Sequence, residues 1–193
     1  MRPRLFVVTG PSGAGKGTLI RALVERRPDL AVAVSATTRA RRPGEEQGRD
    51  YTFLTDEEFE RRVEAGDFLE HVTYVSGHRY GTLREEVERI LGSGRSCILE
   101  LETQGAKEVQ ASAPDAVTIF VQAPSFAELE RRLRERATES AGEIGERLEL
   151  ARRQAEEAGD FDFMVTNDDV ERAVSELEGI VDRALLEASA ARR

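Results

Sequence analysis

Nine residues near the start of the chain carry the strongest chemical signal: Gly10, Pro11, Ser12, Gly13, Ala14, Gly15, Lys16, Gly17 and Thr18. Glycines let a backbone wrap a phosphate without side-chain clash and turn its N–H groups inward. The apolar run Leu5-Phe6-Val7-Val8 precedes the segment and Leu19-Ile20-Arg21-Ala22-Leu23-Val24 follows it. A strand therefore leads in, and a helix N-terminus with its partial positive charge leads out. Lys16 adds the full charge that bridges the outer phosphates of a nucleoside triphosphate, ATP being the expected one. The pattern G-x-x-x-x-G-K-[ST] places a hydroxyl directly after the lysine, but Gly17 stands there and Thr18 comes one place later. With that usual Mg²⁺ ligand missing, Mg²⁺ would be held by nucleotide oxygens and water, as suits an ion that dehydrates reluctantly.

A second constellation runs from Ser35 to Tyr51. Arg39 and Arg42 are forked donors suited to a phosphate dianion, and Tyr51 adds a neutral hydroxyl. Composition alone would also allow a solvated basic loop. His71 and His78 lack ligand-spaced partners, so a zinc site is not expected. The one cysteine, Cys97, lies in the apolar run Ser96-Cys97-Ile98-Leu99 and reads as a small buried hydrophobe rather than a thiol nucleophile.

These residues need a frame. Leu5–Val8, Cys97–Leu99, Val117–Val121 and Phe163–Val165 read as buried strands, with 31–34 a weaker one. Runs apolar on every residue suit central parallel strands covered on both faces. Helices fill most of the gaps, and four Ser/Thr-x-x-Glu capping boxes mark their starts: Thr55 with Glu58, Thr82 with Glu85, Ser125 with Glu128, and Ser140 with Glu143. The last helix has an apolar stripe at Val170, Val174, Leu177, Val181, Leu185 and Ala188. Strand–helix alternation predicts an α/β sandwich around a parallel sheet. The polar, turn-rich stretch from about Ser35 to Tyr80 reads as an attached lobe, and that from about Ala137 to Gly142, between two charged helices, as a lid.

The chain has 193 residues, enough for one compact domain with small inserted parts. Its 39% hydrophobic and 34% charged residues fit a globular protein. A net charge of -9 provides no global field for nucleic acid or an anionic membrane, so any phosphate-binding charge must be local. A lone cysteine, the lack of an apolar stretch of ~20 residues and a start without signal-peptide features lead to a cytoplasmic expectation.

The segment from Ser35 to Tyr51 resembles the guanylate kinase pattern S-x-T-T-R-x-x-R-x-G-E-x-x-G-x-x-Y and matches every fixed position. The loop at 10–16 is similar to that family's, and so are Phe68-Leu69-Glu70, Tyr80-Gly81-Thr82, Gln104-Gly105 and Val165-Thr166-Asn167-Asp168-Asp169, all in the family's order. Gly-Lys-Gly-Thr in place of Gly-Lys-Ser/Thr is also frequent among nucleoside monophosphate kinases. The resemblance implies a P-loop kinase three-layer α/β sandwich: core 1–34, 83–124 and 159–193, a small mixed α+β GMP-binding lobe 35–82, and a helical lid 125–158. It implies Mg²⁺-dependent transfer of the ATP γ-phosphoryl group to GMP, and to dGMP, by a monomer or homodimer.

It further implies that Arg39, Arg42, Tyr51 and Tyr80 hold the GMP phosphate, while Ser35, Glu70, Thr82 and Glu102 surround guanine. The loop 10–18 and Asn167 would bind ATP. Lys16, Arg39, Arg132, Arg136 and Arg147 would neutralise the transferring group, and Glu100 would orient Mg²⁺-bound water. A carboxylate at 70 suits guanine, whose N1–H and exocyclic amine are adjacent donors; adenine N1 would face it with a lone pair. The nucleophile is an already anionic phosphate oxygen, so no general base is required. The chain departs from the pattern at Glu102, where Asp is usual, at Arg79, where Tyr is frequent, in one extra residue between His71 and Arg79, and at Glu135-Arg136-Ala137, which replaces Gly-Arg-Gly. Arg132 also has a plain reading, a solvent ion pair with Glu128, and Arg136 one with Glu139. Two rivals remain: a P-loop kinase for a sugar phosphate such as ribose bisphosphate, and a non-catalytic phosphopeptide-binding module.

Overall fold

The computed structural model describes residues 2–74, 77–136 and 141–190, and the side chains among them except those of 136 and 141–144. Five parallel strands form the core sheet: β1 Leu5–Thr9, β2 Leu30–Val32, β7 Ser96–Glu100, β8 Val117–Gln122 and β9 Phe163–Thr166, in the order β2-β7-β1-β8-β9. The strands are apolar throughout because both faces are covered. Phe6, Val8, Ile98, Ile119 and Val121 point into one apolar cluster with α1 (Lys16–Arg26) and α7 (Val170–Ala190). Val7, Cys97, Leu99 and Phe120 point into the other, against α3 (Arg84–Gly92) and α4 (Thr103–Ser112). Along the stripe of the last helix, Val174, Leu177, Val181 and Leu185 are buried, while Val170 at its start is exposed. The alternation thus yields the expected sandwich. The ends of β1, β7 and β9 deliver the loop at 10–15, Glu100 and Asn167 to one edge, where open parallel sheets bind ligands.

A second sheet comprises β3 Ala36–Thr37, β4 Thr52–Phe53, β5 Phe68–Thr73 and β6 Arg79–Leu83, ordered β4-β3-β6-β5. Helix α2 (Asp56–Glu64) covers it, with Phe59 stacked on Phe68 at 4.4 Å between ring centroids. Both halves of the Thr55–Glu58 capping box are present. Ser125 accepts from the Glu128 amide at the start of α5 (Phe126–Arg136). The Thr82–Glu85 box is overturned: α3 begins after Leu83, without a side-chain cap. Thr82 is a buried strand residue opposite Glu70, and that tertiary pairing outcompetes the local cap. The Ser140–Glu143 box and the Ala137 hinge lie outside the described residues. Helix α6 (Ala141–Glu156) packs on α5 through Leu129, Leu133 and Ala151.

Candidate active site

The loop at 10–15 is shaped by close approaches. Gly10 and Gly15 both have positive φ, +133° and +92°. A Cβ at Gly10 would strike the Val121 carbonyl, and one at Gly15 the Asn167 amide, each well inside contact distance. Asn167 is buried and donates from Nδ2 to the Ala14 carbonyl at 2.8 Å, so β9 clamps the loop. Lys16 Nζ donates to the carbonyls of Gly10 at 2.6 Å and Pro11 at 3.2 Å, folding its ammonium back over the loop. Burial pushes its pKa below the usual value, and the negative fields of Glu100 and Glu102 oppose that fall. At Gly17 a Cβ would lie 3.3 Å from Glu100 Oε2, so the carboxylate stands close beside the loop at the position after Lys16.

Two arginines reach this loop from the lid side. Arg132 Nε donates to Glu128 at 2.8 Å and its Nη2 to the Asn167 carbonyl at 3.0 Å. The ion pair read from the sequence is present, but the guanidinium also spans to the loop clamp. Arg147 Nη2 donates to Ser12 Oγ at 3.2 Å. The Arg136 side chain lies outside the described residues. Arg131 and Arg134 are exposed and pair with Glu128, Glu135 and Glu130 on their own helix. A cavity of about 270 Å³ opens between Gly13, Gly15, Thr18, Arg132 and Asn167.

The acceptor residues gather on the second sheet. Arg39 Nη2 pairs with Glu45 at 2.7 Å, and its guanidinium sits over the Tyr51 ring at 5.3 Å, beside the Tyr80 phenol. Tyr51 and Tyr80 meet edge to face at 6.0 Å. Arg42 is exposed, and its backbone N–H donates to Glu45 at 2.8 Å. Glu45 therefore braces both arginines. Its fixed place beside Gly44 in the motif was a usable signal for a role not assigned from sequence. Ser35 is half-buried at the start of this sheet, and its carbonyl accepts from Thr52. Arg79 turns away: its guanidinium lies 4.6 Å over Phe59 and pairs with Glu60 at 2.6 Å, so this departure from the family pattern does not enter the site.

Glu70 is 4% exposed. Burial pushes its carboxyl up to about 7, against the lowering effect of hydrogen bonds from Thr82. Its Oε2 lies 2.8 Å from where a Cβ on Gly105 would stand, so the Gln104-Gly105 pair needs glycine to admit the carboxylate against α4. Glu102 precedes α4 and accepts from Gln154 Nε2 of α6 at 3.2 Å.

The two halves face one cleft. Glu100 acts electrostatically on both Lys16 and Tyr51. Glu102 acts on both Lys16 and Tyr74. One wall presents main-chain amides and a lysine, and the other presents guanidinium and phenol groups, a layout that can hold two phosphate chains end to end.

Comparison with known proteins points the same way. The family model described as guanylate kinase matches residues 2–184. A guanylate kinase of Rubrobacter xylanophilus is 55% identical over 182 residues, covering 94% of this chain and 95% of that relative. One from Synechococcus sp. (strain JA-3-3Ab) is 47% identical, covering 93% and 82%. Among solved structures, guanylate kinase from Anaplasma phagocytophilum superimposes with a TM-score of 0.75 at 30% identity, covering 94% of this chain and 85% of that one. A sugar kinase from Janibacter sp. aligns with a TM-score of 0.51 at 16% identity, a likeness of fold alone.

Proposed function

The chain belongs to the guanylate kinase family, and we propose that the cleft between its two sheets carries the family reaction on the residues described above. The chain is a kinase that transfers a phosphoryl group from ATP to GMP. The observation that carries the residue assignment is that Glu100 stands beside Gly17 of the loop while Glu70 of the second sheet packs on Gly105 of α4, the helix that Glu102 precedes.

In this reading the 10–18 loop amides and Lys16 hold the ATP phosphates, with Asn167 fixing the loop. Arg132 and Arg147 neutralise the transferring group from the lid side, and Arg136 is assigned there on sequence alone. Arg39, Arg42, Tyr51 and Tyr80 hold the GMP phosphate; Arg39, ion-paired and ring-backed, is pre-oriented and faces the transfer. Ser35, Glu70, Thr82 and Glu102 receive guanine. A fixed carboxylate that accepts from N1–H and the exocyclic amine leaves adenine unpaired, which discriminates by roughly 10⁴. The acceptor phosphate is already a nucleophile, so the residues align and neutralise rather than take protons.

Mg²⁺ fits this donor set. Among the described residues no cluster of three or more Asp, Glu, His or Cys side chains could chelate a metal by itself. Glu100 instead brings one hard carboxylate beside the loop, and Thr18 a nearby hydroxyl at the cavity. A hydrated ion shared with nucleotide oxygens matches that arrangement. When bound, Mg²⁺ supplies neutralisation of phosphate charge. The chain is taken to act as a monomer or homodimer. The three moving parts are taken as core 1–34, 83–124 and 159–193, lobe 35–82 and lid 125–158. Among the described residues no helix is long and apolar enough to cross a membrane. Use of ATP and GMP, with a lone buried cysteine, supports the cytoplasm as the place of action.

A coupled ADP-release assay with GMP, AMP, CMP, UMP and ribose bisphosphate tests the assignment. Turnover confined to guanine acceptors, and its loss in Lys16→Met with GMP still bound, is the expected result. Turnover with AMP, or near-normal turnover of the lysine variant, overturns it.

A further inference from the structure

Glu102 stands at the start of α4, just after the strand end that carries Glu100. Glu102 Oε2 accepts from Gln154 Nε2 at 3.2 Å. Gln154 is 5% exposed, although it lies on a helix whose neighbouring residues Arg152, Arg153 and Glu156 face solvent. A buried amide is retained at a cost unless it is hydrogen-bonded, and the bond given for its Nε2 is to this carboxylate. Burial pushes the Tyr74 phenol pKa up, and the charge of Glu102 adds to that rise. Tyr74 also meets Tyr80 edge to face at 5.0 Å, and its carbonyl and amide bond Gly77 and His78 to close the β5–β6 turn. The Glu102 carboxylate is thus held from α6 in the lid region, while its own backbone belongs to the core.

We propose that Gln154 is a positioning residue for GMP selection: it aims the Glu102 carboxylate at the guanine site and ties the lid to the core through that one side chain. This rests on the assignment of Glu102 to guanine. The Glu102 side chain meets a donor on a different helix through Oε2 and keeps its other oxygen for the base. A lid displaced from the core releases the Gln154 bond and frees the carboxylate to rotate, so guanine is held well only when the lid is in place.

The test is a mutant cycle on the full chain, read as KM for GMP, KM for ATP, kcat and thermal midpoint. Gln154→Met keeps volume and removes the donor. It is expected to raise KM for GMP about tenfold, the lower end for a hydrogen bond to a charged group, and to leave KM for ATP within twofold. Glu102→Ala raises KM for GMP at least as much, and adding Gln154→Met to it changes nothing further. A persistent effect of Gln154→Met in the Glu102→Ala background, or equal effects on both substrates, overturns the proposal, because it marks a packing role. If Gln154→Met lowers the midpoint sharply, the exchange Glu102→Gln with Gln154→Glu decides: donor and acceptor swap, the new amide at position 102 keeps an oxygen for guanine, and KM for GMP should return to within about threefold of the parent. Failure of that rescue counts against positioning. Glu102→Ala with unchanged KM for GMP overturns the guanine assignment of Glu102 itself, and this inference with it, whereas an effect of Glu102→Ala without any effect of Gln154→Met overturns the inference alone.

Discussion

Glu70→Gln should make the protein more stable and a much poorer enzyme. The carboxyl is 4% exposed and its pKa is raised from 4.5 to about 7, with burial as the largest cause. An acid whose folded pKa is raised binds more protons in the native state than in the unfolded one. Stability therefore falls as pH rises from about 4.5, and the loss is complete above about 7. The gap corresponds to about 3 kcal/mol. Glutamine is neutral at every pH and escapes that loss, so urea melts at pH 8.5 should show the variant more stable by up to about 3 kcal/mol, and melts at pH 4.5 should show the two alike. Guanine binding reverses the sign. The carboxylate accepts from two guanine donors, each such charge-assisted bond contributing roughly 1.5–3 kcal/mol. Glutamine accepts one and presents its own N–H₂ to the other. The expected loss in kcat/KM for GMP is on the order of 10²–10³-fold, with KM for ATP little changed. The parent should also lose GMP affinity as pH falls below about 7, because protonation removes an acceptor; the variant should lack that component and keep only the dependence set by the GMP phosphate, whose second pKa is about 6. A variant with GMP kinetics within twofold of the parent, or a parent with no pH-dependent stability deficit against it, refutes this account of Glu70.

Two further substitutions probe how the site is held. Gly105→Ala puts a Cβ 2.8 Å from Glu70 Oε2 while improving helix propensity by up to about 1 kcal/mol, so circular dichroism should show intact folding and steady-state kinetics a KM for GMP raised about tenfold. Asn167→Ala removes the 2.8 Å bond to the Ala14 carbonyl and leaves that acceptor unpaired, which costs about 1–3 kcal/mol; titration with an ATP analogue should show weaker binding while GMP affinity holds.

Much of the frame was legible because burial leaves a local imprint. Every residue of Phe6, Val7 and Val8 is apolar since α1 and α7 cover one face of β1 and α4 the other. The lobe left a fainter trace: β3 and β4 are two residues each, too short for a period, and only the motif marked the place. Thr82 shows how a local rule loses. Its spacing to Glu85 is that of a cap, yet pairing with Glu70 across β5 and β6 holds its side chain in the sheet. Gln154 left no imprint at all, because one amide among charged residues of α6 looks like surface until the partner 52 positions away is known.

The same separation of local and tertiary effects governs Lys16. Its ammonium is drawn over the loop by the Gly10 and Pro11 carbonyls, and burial lowers its pKa more than Glu100 and Glu102 raise it. Those two carboxylates offset part of what burial does to the ammonium. Arriving phosphates bring further negative charge to the same ammonium and must raise its pKa again. Where the lysine of the free protein titrates, ATP binding must therefore take up a proton. Calorimetry with a non-hydrolysable ATP analogue over a series of rising pH, repeated in buffers of different ionisation enthalpy, should show that uptake in the parent and its absence in Lys16→Met. Proton release in the parent, or equal uptake in the variant, would mean that the phosphates settle away from this lysine.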